Sequence, residues 1–255
     1  MDLELDNRAF VITGGTDGLG LALASSLLAE GARVAVCGRD AQRLALAQES
    51  LGPEALCVEA DVTDATALDE FYDVALARFG RLDGVVNNAG RTAASSVAAS
   101  TDEAWREDYE LKVIAALHLA RRALPALEET HGSILNVLAI MARTPPPNST
   151  PTSASRAAGL ALTKALSHEV GPRGVRVNAV LIGLIESGQW VRRAAEARRD
   201  LDEFYREMAS RAGIPLGRIG TAAEFANVAT FLLSPRASYV TGVGFAVDGG
   251  LSGAI

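Results

Sequence analysis

The stretch AFVITGGTDGLGLALASSLLAEG, residues 9–31, decides the fold. A short apolar, β-branched run ends at Thr13, a glycine-rich turn follows, and a dense apolar run of helical length begins at once. A strand that turns through glycine into a helix presents backbone N–H groups and the positive end of the helix to a phosphate. Gly14 permits the tight turn, Gly18 lets the backbone approach a diphosphate, and Gly20 allows the helix to pack closely on the strand. Thr16, Asp17 and Leu19 complete the loop and join these glycines as candidate cofactor-binding residues. A merely structural turn is the competing reading of the motif on its own.

Outward from this unit, short strand-like runs alternate with longer helical patterns along the whole chain. AFVIT, RVAVC, ALCVEA, DGVVN, SILNVL, VRVNAVL and VGFAV read as seven strands. DATALDEFYDVALARFG, between two of them, repeats its apolar positions at helical spacing. The alternation predicts a Rossmann-type, doubly wound α/β fold: a seven-stranded, mostly parallel sheet with helices on both faces and right-handed crossovers, in a single domain over residues 1–255. Ligands are then expected beyond the carboxyl ends of the strands. Two segments interrupt the rhythm. ARTPPPNST with Pro151 holds four prolines within residues 145–151 and reads as a stiff non-helical loop. Residues 183–220, with the charged helical piece RRAAEARRDLDEFYREMASR, read as a lid or substrate segment.

Composition agrees with a ligand-binding globular domain. The 255 residues are 49% hydrophobic, enough for one sizeable core. A formal charge of −7, from 24 basic and 31 acidic residues, argues against nucleic acid or an anionic membrane as partner and in favour of a small molecule. Cys37 and Cys57 lie in apolar strand-like runs and read as buried thiols in a reducing cytoplasm, with no metal site. The acidic start MDLELDNRAF has no apolar signal core, and no apolar run reaches membrane-spanning length.

The second strand ends VCGRD, with Gly38 and Arg39 where NAD-preferring folds place an acidic residue for the ribose 2′-hydroxyl. An arginine there accommodates a 2′-phosphate, while Asp17 in the glycine loop would repel one. NADP(H) is therefore favoured over NAD(H). A solvated cation at a strand end is the alternative reading of Arg39.

TGGTDGLG at 13–20, DVTD at 61–64, NNAG at 87–90, RVNAV at 176–180 and YVTGVGFAVDGG at 239–250 occur in the order and at the spacing of one enzyme family. Over essentially its whole length the chain resembles the short-chain dehydrogenases/reductases. The resemblance implies that Asp61 and Val62 flank an adenine, that Asn87, Ala89 and Gly90 line the cofactor cleft, and that Ser187 lies near the nicotinamide carboxamide. LIGLIES, 181–187, puts Ile182 and Gly183 where the family has a proline-glycine pair. A homo-oligomer, tetramer or dimer, built on the helices of residues 101–128 and 152–170 is also implied.

The family moves a hydride between a nicotinamide and an oxygen-bearing carbon while a tyrosine transfers the accompanying proton. An adjacent lysine lowers the phenol's pKa and grips the ribose, a serine orients the substrate, and an asparagine holds a water relay. Counted from Asn136, the serine position falls on Ala139, the tyrosine position on Thr152 and the lysine position on Arg156; counted from Trp105, the asparagine position falls on Lys112. There is no tyrosine between Tyr109 and Tyr205. Thr152 hydrogen-bonds without acting as an acid near neutral pH, and Ala139 offers no polar group. Arg156 stays charged and could reach ribose hydroxyls, and with Lys112 it would suit a carboxylate, phosphate or enolate. Alternatively, Lys112 snorkels or pairs with an acid such as Asp108.

Arg143 with the proline loop, Glu186 and Tyr205 are the candidate substrate contacts, packing being the alternative for Tyr205; His118, His131 and His168 read as ordinary surface or packing residues. Two functions follow. One is a variant NAD(P)(H)-dependent oxidoreductase acting on an imine, an enone or an anionic substrate. The other is a non-catalytic NAD(P)-binding sensor or pathway scaffold.

Overall fold

The computed structural model describes residues 1–254, and in it the opening stretch forms strand β1 (Ala9–Thr13) and helix α1 (Gly18–Ala29). The chain continues through β2 (Arg33–Gly38), α2 (Ala41–Leu51), β3 (Leu56–Glu59), α3 (Ala65–Phe79) and β4 (Gly84–Asn87). Then come α4 (Asp102–Tyr109), a π-helical turn (Glu110–Ile114), α5 (Ala115–Thr130), β5 (Ser133–Ala139), α6 (Thr152–Val170) and β6 (Arg176–Ile182). Helices α7 (Gly188–Glu196), α8 (Leu201–Ala212) and α9 (Ala222–Leu233) precede β7 (Gly244–Val247). Among the described residues the seven strands form one parallel sheet in the order β3-β2-β1-β4-β5-β6-β7. No helix among them is long and apolar enough to cross a membrane.

The strands are apolar on both faces because both faces are covered. Successive residues point to opposite sides of the sheet, so Val11, Ala35 and Cys37 pack with Phe71 and Tyr72 of α3, Leu119 and Leu127 of α5 and Leu166 of α6. Phe10, Ile12, Val34 and Val36 pack on the other side with Leu23 and Leu27 of α1 and Phe225 and Leu232 of α9. Helix starts are written in the sequence. Asp40 and Asp64 accept the first-turn N–H groups of α2 and α3, and Thr221 with Glu224 forms a capping box on α9.

Two expectations change. The charged piece at 192–211 is split: Asp200 accepts the N–H of Glu203 to start α8 anew, and Arg198 takes φ +52 between the helices. A side chain able to cap a helix ends the one before it as well. Cys37 is buried, as expected, but Cys57 on β3 is only half-buried, since β3 is an edge strand.

Candidate active site

The strand order reverses between β1 and β4, which opens a crevice at their carboxyl ends. The turns that leave these strands are stitched together. Thr13 Oγ1 accepts the N–H groups of Asn88 at 3.0 Å and Ala89 at 3.1 Å, and Asn88 Nδ2 donates to the carbonyls of Thr13 at 3.0 Å and Gly14 at 2.8 Å. Gly14 lies at φ +64, and a Cβ there would meet Ala89 Cα at 2.9 Å; a Cβ on Gly20 would stand 2.4 Å from the Gly14 carbonyl oxygen. The loop therefore closes only with bare backbone. Asp17, which begins α1, makes no side-chain capping bond, so its carboxylate does not take up the first-turn N–H groups. The cradle fits a diphosphate.

At the end of β2, Arg39 Nη1 lies 3.2 Å from Asp61 Oδ2. Burial raises the Asp61 carboxyl, but hydrogen bonds from Thr63 and Arg39 outweigh it and hold the group below the usual carboxylate range. Val62 is buried beside it. Across the crevice, Ser187 packs on the glycine loop, where a Cβ on Gly18 would be 3.6 Å from Ser187 Cβ. Asn87 Nδ2 donates to Asn136 Oδ1 at 2.8 Å, and Asn136 Nδ2 to Thr163 Oγ1 at 2.9 Å, tying β4 through β5 to α6.

The π-helical turn between α4 and α5 carries Lys112 into the interior. Its ammonium donates to Asp108 Oδ1 and, at 3.1 Å, to Thr152 Oγ1. Thr152 Oγ1 also accepts the N–H of Ala93 at 2.9 Å, and Ser155 Oγ donates to Asp108 Oδ2 at 2.5 Å. Burial and the neighbouring Arg156 push the Lys112 ammonium down from its usual 10.5 to about 8, against the raising effect of Asp108. Arg156 is half-buried beneath the turn after β4, where a Cβ on Gly90 would meet its Nη2 at 2.9 Å. Its Nη1 donates to the Val137 carbonyl at 2.6 Å, and its Nε has no hydrogen-bond partner among the described residues. Burial lowers its pKa from 12.5 to about 10, so it stays charged at neutral pH. Asn87, Asn136, Lys112 and Arg156 share a pocket of about 20 Å³. Ala139 ends β5 beside this ground and adds no polar atom.

The remaining candidates are bonded within the protein. Arg143 Nη2 donates to the Gly244 carbonyl of β7 at 3.0 Å. Glu186 accepts the N–H of Ala222 at 2.9 Å, at the start of α9. Tyr205 packs with Ala209, Ile214 and Ile219 and borders a surface hollow of about 400 Å³ with Asp202, Arg206 and Arg218, a different cavity from the one at Lys112. Burial and the Glu186 carboxylate push its phenol up. His118 Nε2 lies 3.0 Å from Asp69. Among the described residues no cluster of three or more His, Cys, Asp or Glu could hold a metal ion. Ser155 belongs to no motif in the sequence, and its place one helical turn beyond Thr152 is the signal for its role here. Arg192, whose guanidinium pairs with Asp17 at 3.1 Å, carries no local sequence signal.

Residues 14–252 match the family model described as enoyl-(acyl carrier protein) reductase. The chain is 34% identical to 2-(S)-hydroxypropyl-CoM dehydrogenase 3 of Xanthobacter autotrophicus, over 99% of each. An NADPH-bound short chain oxidoreductase of Pseudomonas aeruginosa, described as containing an atypical catalytic center, superposes with a TM-score of 0.92 at 40% identity, covering 97% of this chain and 98% of that one. The L-sorbose reductase of Gluconobacter frateurii, solved with NADPH and L-sorbose, superposes with a TM-score of 0.94 at 31% identity over the full length of both. Sequence motifs, strand order and glycine cradle agree with these likenesses: the chain belongs to the short-chain dehydrogenase/reductase family of NAD(P)-dependent oxidoreductases.

Proposed function

We propose that the protein is an NAD(P)(H)-dependent oxidoreductase with a non-standard active site, a preference for NADP(H) and a small-molecule substrate. The observation that carries this proposal is a pair of neighbouring cations, the buried Lys112 and the half-buried Arg156, set against the single carboxylate of Asp108. They stand at the positions where the family keeps asparagine and lysine, with Thr152 and Ala139 at those of tyrosine and serine. Gly14, Thr16, Gly18, Leu19 and Gly20 would hold the diphosphate, Asp61 and Val62 the adenine, Arg39 a 2′-phosphate and Ser187 the nicotinamide end.

A bound reduced nicotinamide supplies a hydride to an unsaturated carbon. Among the described residues no phenol lines this pocket to protonate an oxygen, and losing such an acid costs roughly 10²- to 10⁴-fold in rate. A conjugated alkene removes the demand, because hydride addition leaves an enolate that Lys112 and Arg156 stabilise electrostatically while water protonates its carbon. An iminium ion becomes a neutral amine on hydride addition and needs no proton. Support comes from the enoyl reductase description of the matching family model and from the Pseudomonas neighbour, which pairs NADPH with an atypical centre.

A second reading, a non-catalytic NAD(P)-binding sensor or scaffold, is favoured by one observation. The polar groups of the altered site bond to the protein itself, Thr152 Oγ1 to Lys112 and Ala93, and Arg156 to Val137. A homo-oligomer on the helices of residues 101–128 and 152–170 belongs to either reading and is measured by sedimentation. The deciding experiment titrates NADPH and NADH, then assays turnover of carbonyl, imine and enone panels by wild type and by Ala139→Ser/Thr152→Tyr/Arg156→Lys. Enone or imine turnover by wild type supports the first reading, and tight binding without turnover supports the second. Absence of dinucleotide binding refutes both.

A further inference from the structure

The end of β2 and the glycine loop meet closely: a Cβ on Gly38 would stand 2.7 Å from Thr16 Cγ2. Arg39 follows Gly38, and Asp17 follows Thr16, so the ground expected to receive a 2′-phosphate has an acidic residue on one side. Asp61, 3.2 Å from Arg39, is a second carboxylate there. Counted over the chain's first half, the carboxylates of Asp17 and Asp61 outnumber the guanidinium of Arg39, a balance that disfavours a dianionic phosphate.

The balance is restored from residues far along the chain. Helix α7 begins against the glycine loop, where a Cβ on Gly188 would collide with Asp17 Oδ2 at 2.1 Å, and one turn later Arg192 Nη1 lies 3.1 Å from that same oxygen. Asp17 thereby gains a guanidinium partner of its own, as Asp61 has in Arg39. Both members of the pair keep solvent access, with side-chain exposures of 38% for Asp17 and 52% for Arg192, so replacing either leaves no buried charge behind. In a step that rests on the dinucleotide binding proposed above, we propose that Arg192 is a specificity-determining residue for the cofactor. By neutralising Asp17 it lets the phosphorylated dinucleotide bind at a loop whose own charge would reject it. The non-phosphorylated dinucleotide carries no 2′-phosphate and is indifferent to the pair.

The test is a fluorescence titration of NADPH and NADH against wild type, Arg192→Gln, Asp17→Asn and the double variant, with thermal melts to establish that each is folded. Arg192→Gln is expected to weaken NADPH about two- to fivefold, the scale of an exposed charge interaction, and to leave NADH unchanged. Asp17→Asn in that background should return NADPH to within about twofold of wild type, because the charge that Arg192 offsets is gone. Asp17→Asn alone should tighten NADPH and not NADH, which tests the idea even if the arginine variant does not fold. Equal weakening of both nucleotides in Arg192→Gln overturns the proposal, as does a double variant no better than the single. A wild type that binds both nucleotides and shows the expected pattern but reduces nothing leaves this assignment standing and removes the oxidoreductase proposal. A wild type that binds neither nucleotide overturns both.

Discussion

Replacing Asp108 by asparagine keeps the volume of the side chain and one acceptor oxygen for Lys112, yet leaves the buried Lys112 and the half-buried Arg156 with no opposing charge. Removing one partner of a buried pair typically costs about 3–5 kcal/mol, since the charge left behind was desolvated on folding. Asparagine keeps one of the two acceptor oxygens and its amide can donate to the Ser155 hydroxyl, so a loss near 3 kcal/mol is expected for Asp108→Asn. In a chain of this size that corresponds to a fall in melting temperature of roughly 6–12 °C. Adding Lys112→Met removes one of the two cations, and the double variant should regain at least about 1 kcal/mol over Asp108→Asn. Urea unfolding followed by circular dichroism at neutral pH measures all three proteins. An Asp108→Asn protein within about 1 kcal/mol of wild type, or a double variant no more stable than the single, would refute the idea that one carboxylate neutralises this pair.

The ammonium of Lys112 gives a second expectation, with its sign set by a folded pKa of about 8 below the usual 10.5. Between those values the unfolded chain holds the proton that the folded chain has lost, so stability should rise with pH through that window, by at most about 1.4 kcal/mol per unit. Lys112→Met should lack this contribution, and a difference between the two proteins that stays flat from pH 8 to 10.5 rules it out. Gly20→Ala places a methyl group 2.4 Å from the Gly14 carbonyl, so it should abolish NADPH binding in a titration and lower the melting temperature. Glu186→Ala removes the carboxylate that accepts the Ala222 N–H; about 1 kcal/mol of stability should be lost, with no change in NADPH affinity.

Local rules make the sheet and the nucleotide end of the fold legible. The seven strands were marked by apolar, β-branched runs, and the glycine loop needed no partner to be understood. At the chemical end, spacing placed Lys112, Thr152 and Arg156, but the direction each side chain takes depends on packing between elements. The pairing of Lys112 with Asp108 was one of two readings, and the i,i+4 spacing is its local signal. That Thr152 would also accept the N–H of Ala93 follows from where the loop after β4 meets α6, a contact with no sequence period to reveal it. Asp17 and Arg192 are separated by 175 positions, so their pairing is a property of the folded chain alone. Glu186 and Tyr205 carry chemistry suited to a lid, and that chemistry is indistinguishable in sequence from helix capping and packing.

The π-helical turn at Glu110–Ile114 makes chain length itself a part of the site. Such a turn holds one residue more than the α-helical turn it replaces. Deleting a single residue there would let α4 and α5 fuse into a regular helix, and everything on the amino side would rotate by about 100° relative to the sheet. Asp108, with the helix that carries it, would swing out of reach of Ser155 on α6, although no side chain in the cluster had been altered. The spacing between the helix that packs on the sheet and the helix that carries the acid is thus as exacting as the identity of either charged group.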